Sequence, residues 1–242
     1  DLAGGLASAG HEVVLATPDD ADVPDAWRAG GDDRPRVLRT PAPGRLPGIG
    51  SADFRRVMGR ELEACDVVHL HGMWIPANVT IARLATGLGR PMVLSAHGML
   101  DDWSMSIHPA KKAVFMALAG RRMLRDAAAV HFCAEGEFRR ASRRLPRDNG
   151  VVIPLLMDLS AFRDLPDQSS PPTDRQRIAF LSRLHPVKGL EVLMDAVARL
   201  LPTHPRLDLL VAGTGDPGYE RSLHEHAARL GLGERCRFLG FT

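Results

Sequence analysis

The sequence predicts an α/β protein with two parallel-sheet domains, the second of them incomplete. Short apolar runs alternate with segments of helical periodicity along the chain, which is the order of parallel sheets covered by helices. Several runs are apolar without alternation, as strands covered on both faces are. The polar, Pro/Ser-rich segment 165–176 is the best linker candidate. We therefore expect a first domain at 1–164 and the start of a second at 177–242.

Each element has its own signal. Apolar runs predict strands at 11–17, 36–40, 66–72, 91–98, 128–134, 150–154, 177–182, 206–213 and 236–240. Ser51 is expected to cap a helix whose residues Phe54, Met58 and Leu62 share one face. Helical patterns also cover 76–88, 109–125, 135–144, 188–201 and 217–230. The chain opens on what resembles a helix tail and stops at a strand, so we expect a fragment cut at both ends that lacks its first strand.

Composition excludes several classes of protein. With 45% apolar and 25% charged residues the chain has an ordinary globular balance, and no window approaches the apolar length of a membrane span. The three cysteines are odd in number and far apart, as in a reducing compartment. Net charge is +2, and the basic patches lack interleaved aromatics, which argues against nucleic-acid binding. We expect a cytoplasmic protein.

Basic residues are concentrated at 111–147. This stretch carries ten Lys or Arg side chains against Asp126, Glu135 and Glu137. One explanation is a pair of solvated helix faces. The other is a surface that meets anionic lipid head groups or an anionic acceptor.

The turn SRLHPVKG joins a predicted strand to a predicted helix. Arg183 and Lys188 flank Pro186, and Gly189 precedes a helix expected to begin near Lys188. Ligands of open α/β sheets bind at the carboxyl ends of strands, and a helix N-terminus favours anions. Two cations there predict a diphosphate site, with a solvated turn as the alternative.

Residues 180–200, FLSRLHPVKGLEVLMDAVARL, closely resemble the donor-binding segment of glycosyltransferase family 4, enzymes of the GT-B fold. The stretches GHEVVLAT, DVVHLHGMW, SAHGMLDDWSMSIHPAKK and VVIP also resemble family segments, in the family's order. The HGMW and HGML segments resemble those of the family members that build bacterial surface polysaccharides.

The resemblance implies two Rossmann-like domains and a sugar transfer that retains anomeric configuration. A nucleotide-sugar would be the donor and a glycan or lipid-linked molecule the acceptor, with no metal and no cofactor. The enzyme would be cytoplasmic, with the 111–147 region at the inner face of the plasma membrane. The family's pair of Glu residues eight positions apart lies beyond the last strand. We therefore expect the 242-residue chain alone to transfer little or no sugar.

The resemblance also assigns residues. Arg183 and Lys188 would bind the donor diphosphate, while Gly213 and Gly215 would line the nucleotide pocket. His97 would lie beside the transferred sugar and donate a hydrogen bond to it.

Two further residues are candidates for the acceptor or sugar cleft. His71 closes a strand at an expected cleft edge, and Trp74 offers a flat apolar face to sugar C–H groups. Packing alone explains Trp74 equally well.

The histidines of the strand 66–72 also allow other functions. His69 and His71 alternate on one strand and would suit a metal-dependent hydrolase if His97, Asp101 or Asp102 completed the ligand set. A hydrogen-bonded core residue is the alternative for His69. A non-catalytic sugar-binding relative is a third possibility.

The pattern Gly213-x-Gly215-x-x-Gly218 mimics a dinucleotide fingerprint. Pro217 removes one N–H from the helix start, and no acid follows the next strand to bind a ribose, which excludes a dehydrogenase.

Overall fold

A computed structural model describes residues 2–31, 33–44, 48–157, 159, 163 and 176–241. The chain divides into two compact units, Asp1–Arg163 and Asp164–Thr242. Of the expected linker 165–176, all but Gln176 lies outside the described residues, so that boundary stays a prediction.

Every predicted strand is present in the described part of the chain. The first unit contains β1 (Val14–Thr17), β2 (Arg36–Arg39), β3 (Val68–His71), β4 (Met92–Ser95), β5 (Ala129–Phe132) and β6 (Gly150–Val152). The second contains β7 (Gln176–Leu181), β8 (Leu207–Ala212) and β9 (Cys236–Gly240). The sheets have the orders β1-β2, β3-β4-β5-β6 and β7-β8-β9, and all their pairs are parallel. The predicted parallel α/β class is confirmed.

The helices follow the predicted order with local differences. They are α1 (Leu2–Ser8), α2 (Asp25–Arg28), α3 (Ala52–Ala64), α4 (Pro76–Gly87), α5 (Asp102–Ser106), α6 (Pro109–Phe115), α7 (Arg121–Asp126), α8 (Glu135–Ala141), α9 (Leu190–Leu200) and α10 (Pro217–Arg229). As predicted, the Ser51 hydroxyl caps α3 by accepting the Phe54 N–H at 3.2 Å. The predicted helix 109–125 is divided by a π-helical turn, Met116–Gly120.

The helix after the Arg183 turn begins later than expected. Pro186–Lys188 form a short 3₁₀ turn, and Gly189 has φ of +66°. Because that left-handed conformation interrupts the helical path, α9 starts at Leu190 and not near Lys188.

Each unit has its own apolar core. In the first unit, Leu94 of β4, Phe132 of β5 and Met73, which follows β3, are fully buried in one apolar cluster. In the second, Met194 and Leu223 of α9 and α10 belong to the same buried cluster as Leu209 of β8. None of the helices in the described ranges is long and apolar enough to cross a bilayer.

Candidate functional site

A cavity opens at the carboxyl ends of β7 and β8. Its volume is about 640 Å³, and it is lined by residues 181–185, 213–216 and Phe241. Three residues predicted from sequence, Arg183, Gly213 and Gly215, therefore line one cavity. Lys188 is not among its lining residues. This is the sheet edge at which open α/β proteins bind ligands.

The two glycines are required by a close approach of two turns. The Leu184 N–H donates to the Thr214 carbonyl at 2.9 Å, so the turn after β7 runs against the loop after β8. A Cβ atom on Gly213 would lie 1.9 Å from the Ser182 carbonyl oxygen, and one on Gly215 2.0 Å from that of Leu184. No side chain fits at either position. The glycines thus set the shape of the cavity whatever else they contact.

Arg183 and Lys188 are exposed cations in the turn that follows β7. Neither forms an ion pair or a side-chain hydrogen bond with the residues that the structure describes. Their chain positions place both in the connection between β7 and α9. An arginine fork and a lysine point charge in one short turn are well suited to phosphate oxygens.

The two helices that begin near this edge differ in how their free N–H groups are used. At α10, the Asp216 carboxylate accepts from Gly218 and Tyr219 at 2.9 and 3.1 Å. The Glu220 carboxylate accepts from the Gly215 N–H at 2.5 Å. At α9, Gly189 provides no side-chain cap. Since two carboxylates already occupy the start of α10, α9 is the helix whose N-terminus can accept an anion.

In the first unit, two histidines meet at the ends of β3 and β4. Nδ1 of His71 lies 2.9 Å from Nε2 of His97, with the rings nearly coplanar at 10°. Nδ1 of His97 faces Sγ of Cys133 at 3.9 Å. His97 has φ of +49°, a left-handed conformation that is uncommon outside glycine. Because the thiol contact is long and weak, Nδ1 is the His97 nitrogen that a substrate can engage most easily.

A second series of hydrogen bonds connects His69 of β3, Ser95 of β4 and His131 of β5. Nε2 of His131 lies 2.7 Å from the Ile153 carbonyl, so it must carry the proton that it donates. Nδ1 of His131 then accepts from the Ser95 hydroxyl at 2.7 Å, and Ser95 accepts from Nε2 of His69 at 2.8 Å. The protons in this series are assigned from the carbonyl at its end.

Both histidines of β3 are held neutral. Burial, with the neighbouring His71, lowers the pKa of His69 to about 4. Burial and His97 also lower the pKa of His71. Because His69 is engaged with Ser95 and stacks on the His71 ring at 4.3 Å, it has the geometry of a hydrogen-bonded core residue.

The proposed metal ligands do not assemble. The described ranges contain no group of three or more His, Cys, Asp or Glu residues placed to hold a metal ion. Asp101 pairs with Arg140 at 3.2 Å, and Asp102 pairs with Arg143 and, at 2.5 Å, with Arg144. These contacts tie α5 to the helix after β5 and use the carboxylates that the hydrolase alternative requires.

Two buried polar side chains that the sequence did not single out anchor the histidine turns. Nδ2 of Asn78 donates to the carbonyls of His71 and Gly72 at 2.9 and 2.8 Å. The Glu137 carboxylate accepts from the Gly98 N–H at 2.6 Å and from the Cys133 N–H at 2.8 Å. Glu137 lies 39 residues from Gly98, and no local motif indicates that contact.

The ring of Trp74 is largely engaged within the protein. Phe115 packs edge-on against it at 5.4 Å between centroids, and Nζ of Lys112 lies 5.3 Å above it. Lys112 also donates to the Ser104 carbonyl. This geometry favours packing over a free sugar-binding face.

Comparison with known proteins gives consistent matches. Residues 1–155 match the family described as "Glycosyl transferase 4-like domain", and residues 162–242 match "Glycosyl transferases group 1". Phosphatidyl-myo-inositol mannosyltransferase of Mycolicibacterium smegmatis is 29% identical over 247 residues, 99% of this chain and 58% of that protein. Its Mycobacterium tuberculosis counterpart is 25% identical over 245 residues, 99% and 60% respectively. The chain thus spans about three fifths of the length of these relatives.

Solved structures show the same fold. Anabaena Alr3699/HepE, in complex with UDP-glucose, has a TM-score of 0.72 at 20% identity, covering 100% of this chain and 64% of that one. A glycosyltransferase from Rickettsia africae has a TM-score of 0.66 at 16% identity, covering 100% and 63%. At these identities the likeness concerns the fold, and it confirms the expected GT-B class.

Proposed function

Because the chain belongs to the glycosyl transferase 4-like family, we propose that it carries the nucleotide-sugar donor site of a retaining glycosyltransferase. The observation that carries this proposal is that Arg183 and Lys188, two exposed cations between β7 and the uncapped start of α9, form no ion pair with any residue the structure describes. Beside them lies the cavity that Arg183, Gly213 and Gly215 line. A nucleoside diphosphate matches this set of groups in charge.

The chemistry follows from the charge that develops during transfer. As the bond between the sugar and the diphosphate breaks, negative charge accumulates on the leaving nucleotide. Arg183, Lys188 and the N–H groups of α9 offset that charge, which is electrostatic stabilisation of the transition state. Fixed cations serve this role without a metal ion or cofactor, so the nucleotide-sugar acts as a co-substrate.

For the first unit we propose contacts with the sugar and the acceptor. His97 donates a hydrogen bond to a sugar hydroxyl through Nδ1, which has only the weak thiol contact. Nε2, on the opposite side of the His97 imidazole, is held by Nδ1 of His71. We propose a weaker role at the edge of the cleft for Trp74. The acceptor is a glycan or a lipid-linked molecule of surface polysaccharide synthesis. The transfer takes place on the cytoplasmic side of the plasma membrane. The relatives whose names specify phosphatidyl-myo-inositol favour a lipid-linked acceptor.

The direct test is binding of UDP and GDP to the purified chain, measured by calorimetry in EDTA. We expect saturable binding of one of the two, competed by the matching nucleotide-sugar and not by free sugars. Binding of free sugar regardless of nucleotide would overturn the proposal in favour of a non-catalytic sugar-binding protein. Turnover is expected from a protein of the relatives' length and little from the 242 residues alone, and the anomer formed reports whether configuration is retained.

A surface of α5, α6 and the π-helical turn supports a membrane-bound acceptor. Trp103, Val114 and Leu118 are 43%, 58% and 74% exposed there. Lys111 and Arg121 are exposed on the same stretch. Several other cations of 111–147 are neutralised by Asp101, Asp102 and Asp126. The charge available to a partner is therefore smaller than the sequence suggests. Lys111 and Arg121 lie in the same stretch of chain as the exposed apolar side chains, a combination typical of interfacial helices.

We expect the chain to sediment with vesicles that contain anionic phospholipid and not with neutral vesicles. Val114→Ser combined with Leu118→Ser should weaken this binding severalfold, because it removes apolar contact with the acyl boundary. Val192→Ser combined with Leu200→Ser is the matched control, since both residues are exposed on α9 of the other unit. Sedimentation that ignores anionic lipid content would contradict the membrane contact.

A further inference from the structure

Glu137 is a buried carboxylate whose hydrogen-bond partners are backbone N–H groups. Its exposed fraction is 9%, and it forms no ion pair within the described residues. A buried charge is normally paired with an opposite charge or satisfied by several donors. Here Oε1 accepts from Gly98 at 2.6 Å and Oε2 accepts from Cys133 at 2.8 Å. Both oxygens therefore serve to join two loops.

The two loops are those that hold the His97 imidazole. Gly98 follows His97 directly, and Cys133 carries the sulfur that faces Nδ1 of His97. The backbone is strained at His97, whose φ is +49°, whereas Gly98 adopts its φ of +72° without steric cost. A left-handed conformation at a residue other than glycine persists only where its surroundings fix it.

Other contacts fix the turn only in part. The Met99 N–H donates to the Ala96 carbonyl at 3.0 Å, and the Asp101 N–H donates to that of Gly98 at 3.1 Å. Neither contact links the turn to β5 or to Cys133. The Ala96 N–H, at the start of the turn, donates to the His131 carbonyl of β5 at 3.4 Å, and Glu137 adds the contact that links Gly98 to Cys133. Glu137 makes this contact from a helix that contributes no residue to the proposed sugar contacts.

We propose that Glu137 is a positioning residue for sugar transfer. It holds the His97–Gly98 turn against the Cys133 turn, and so keeps the imidazole at the place where it meets the sugar. This inference depends on the role proposed for His97. It adds that the geometry of His97 is set by a carboxylate that contacts neither donor nor acceptor.

The test compares Glu137→Gln with Glu135→Gln. Both changes remove one negative charge from the first turn of α8, but Glu135 is exposed. The glutamine at 137 keeps one acceptor oxygen and replaces the other with an NH₂ group that cannot accept. In a protein of the relatives' length, where turnover is expected, kcat for transfer should fall about 10- to 100-fold, the scale of a small misplacement of a contacting group. The KM for the donor nucleotide should stay within about twofold of wild type, since the cations of the second unit are untouched.

NMR gives a second readout that does not require turnover. In Glu137→Gln the amide signals of Gly98 and Cys133 and the imidazole signals of His97 should shift, while Glu135→Gln leaves them in place. If the chain binds neither UDP nor GDP, the proposed function fails, yet these signals still decide whether Glu137 positions His97. Wild-type kcat, or unshifted His97 signals, in Glu137→Gln would overturn the inference.

If Glu137→Gln does not fold, Glu137→Asp provides the same comparison. It keeps the charge but is one methylene too short to reach both N–H groups. We expect shifted His97 signals and reduced kcat in this variant too. Signals and rate equal to wild type would again overturn the inference.

Discussion

Replacing Arg183 and Lys188 together by alanine is expected to weaken nucleoside diphosphate binding by about 100-fold or more. A hydrogen bond to a charged group contributes about 1.5–3 kcal/mol, and each 1.4 kcal/mol is about a factor of ten in affinity. Both side chains are exposed, so the lower end of that range applies to each. Calorimetric titration of UDP and GDP into the wild-type and variant chains measures the effect. Because neither cation stabilises a described carboxylate, the variant should unfold at the wild-type temperature.

The matched control is Arg177→Ala combined with Arg237→Ala. These residues are exposed cations on β7 and β9, outside the residues that line the cavity. The change in net charge is the same, so long-range attraction of the anion is equally reduced. We expect at most a small loss of affinity. Equal affinities for both double variants, or unchanged affinity in the first, would refute the assignment of the diphosphate site.

Removing the His97 imidazole from a protein of the relatives' length is expected to lower kcat for sugar transfer about 100-fold, within the range that general acid–base and hydrogen-bonding groups supply. Glycine is the substitution of choice, because it accepts the positive φ of this position without strain. The donor should bind as before, since the diphosphate contacts belong to the second unit. Steady-state kinetics with the nucleotide-sugar and acceptor measure the separation of kcat from KM.

His108→Gly is the control for this substitution. His108 is also an exposed histidine in the left-handed region, with φ of +52°, and it lies outside the histidine cluster. Its replacement has the same cost in chain entropy and should leave kcat unchanged. An equal loss of activity in both variants would show that backbone freedom, and not the imidazole, explains the effect.

The sequence predicted features that are encoded over short distances. The strands appear as apolar runs, and Ser51 caps α3 from three residues away, so neither depends on distant parts of the chain. Arg183 and Lys188 could be identified because one strand-to-helix turn contains both. The start of α9 was misplaced because Gly189 adopts a left-handed conformation, which its presence in the sequence permits but does not require.

The residues that were missed act through contacts between distant segments. Asn78 and Glu137 resemble ordinary polar residues of helix first turns until the fold brings Asn78 to the end of β3 and Glu137 to the ends of β4 and β5. The Ser95 link between His69 and His131 likewise requires the parallel pairing of β3, β4 and β5. Asp101 and Asp102 were candidate metal ligands by residue type, but their arginine partners lie about forty residues further along the chain.

By itself, then, the sequence determined the α/β class, the succession of strands along the chain and the cationic turn of Arg183 and Lys188, because periodicity and turn chemistry are local properties of the chain. The tertiary structure decided which polar groups satisfy one another: that His69 is a neutral core residue, that His97 is held between His71 and Cys133, and that Gly213 and Gly215 are required by touching turns. The reason is physical, since buried donors and acceptors must be paired and the pairs form only when sheet register brings distant segments within hydrogen-bond distance.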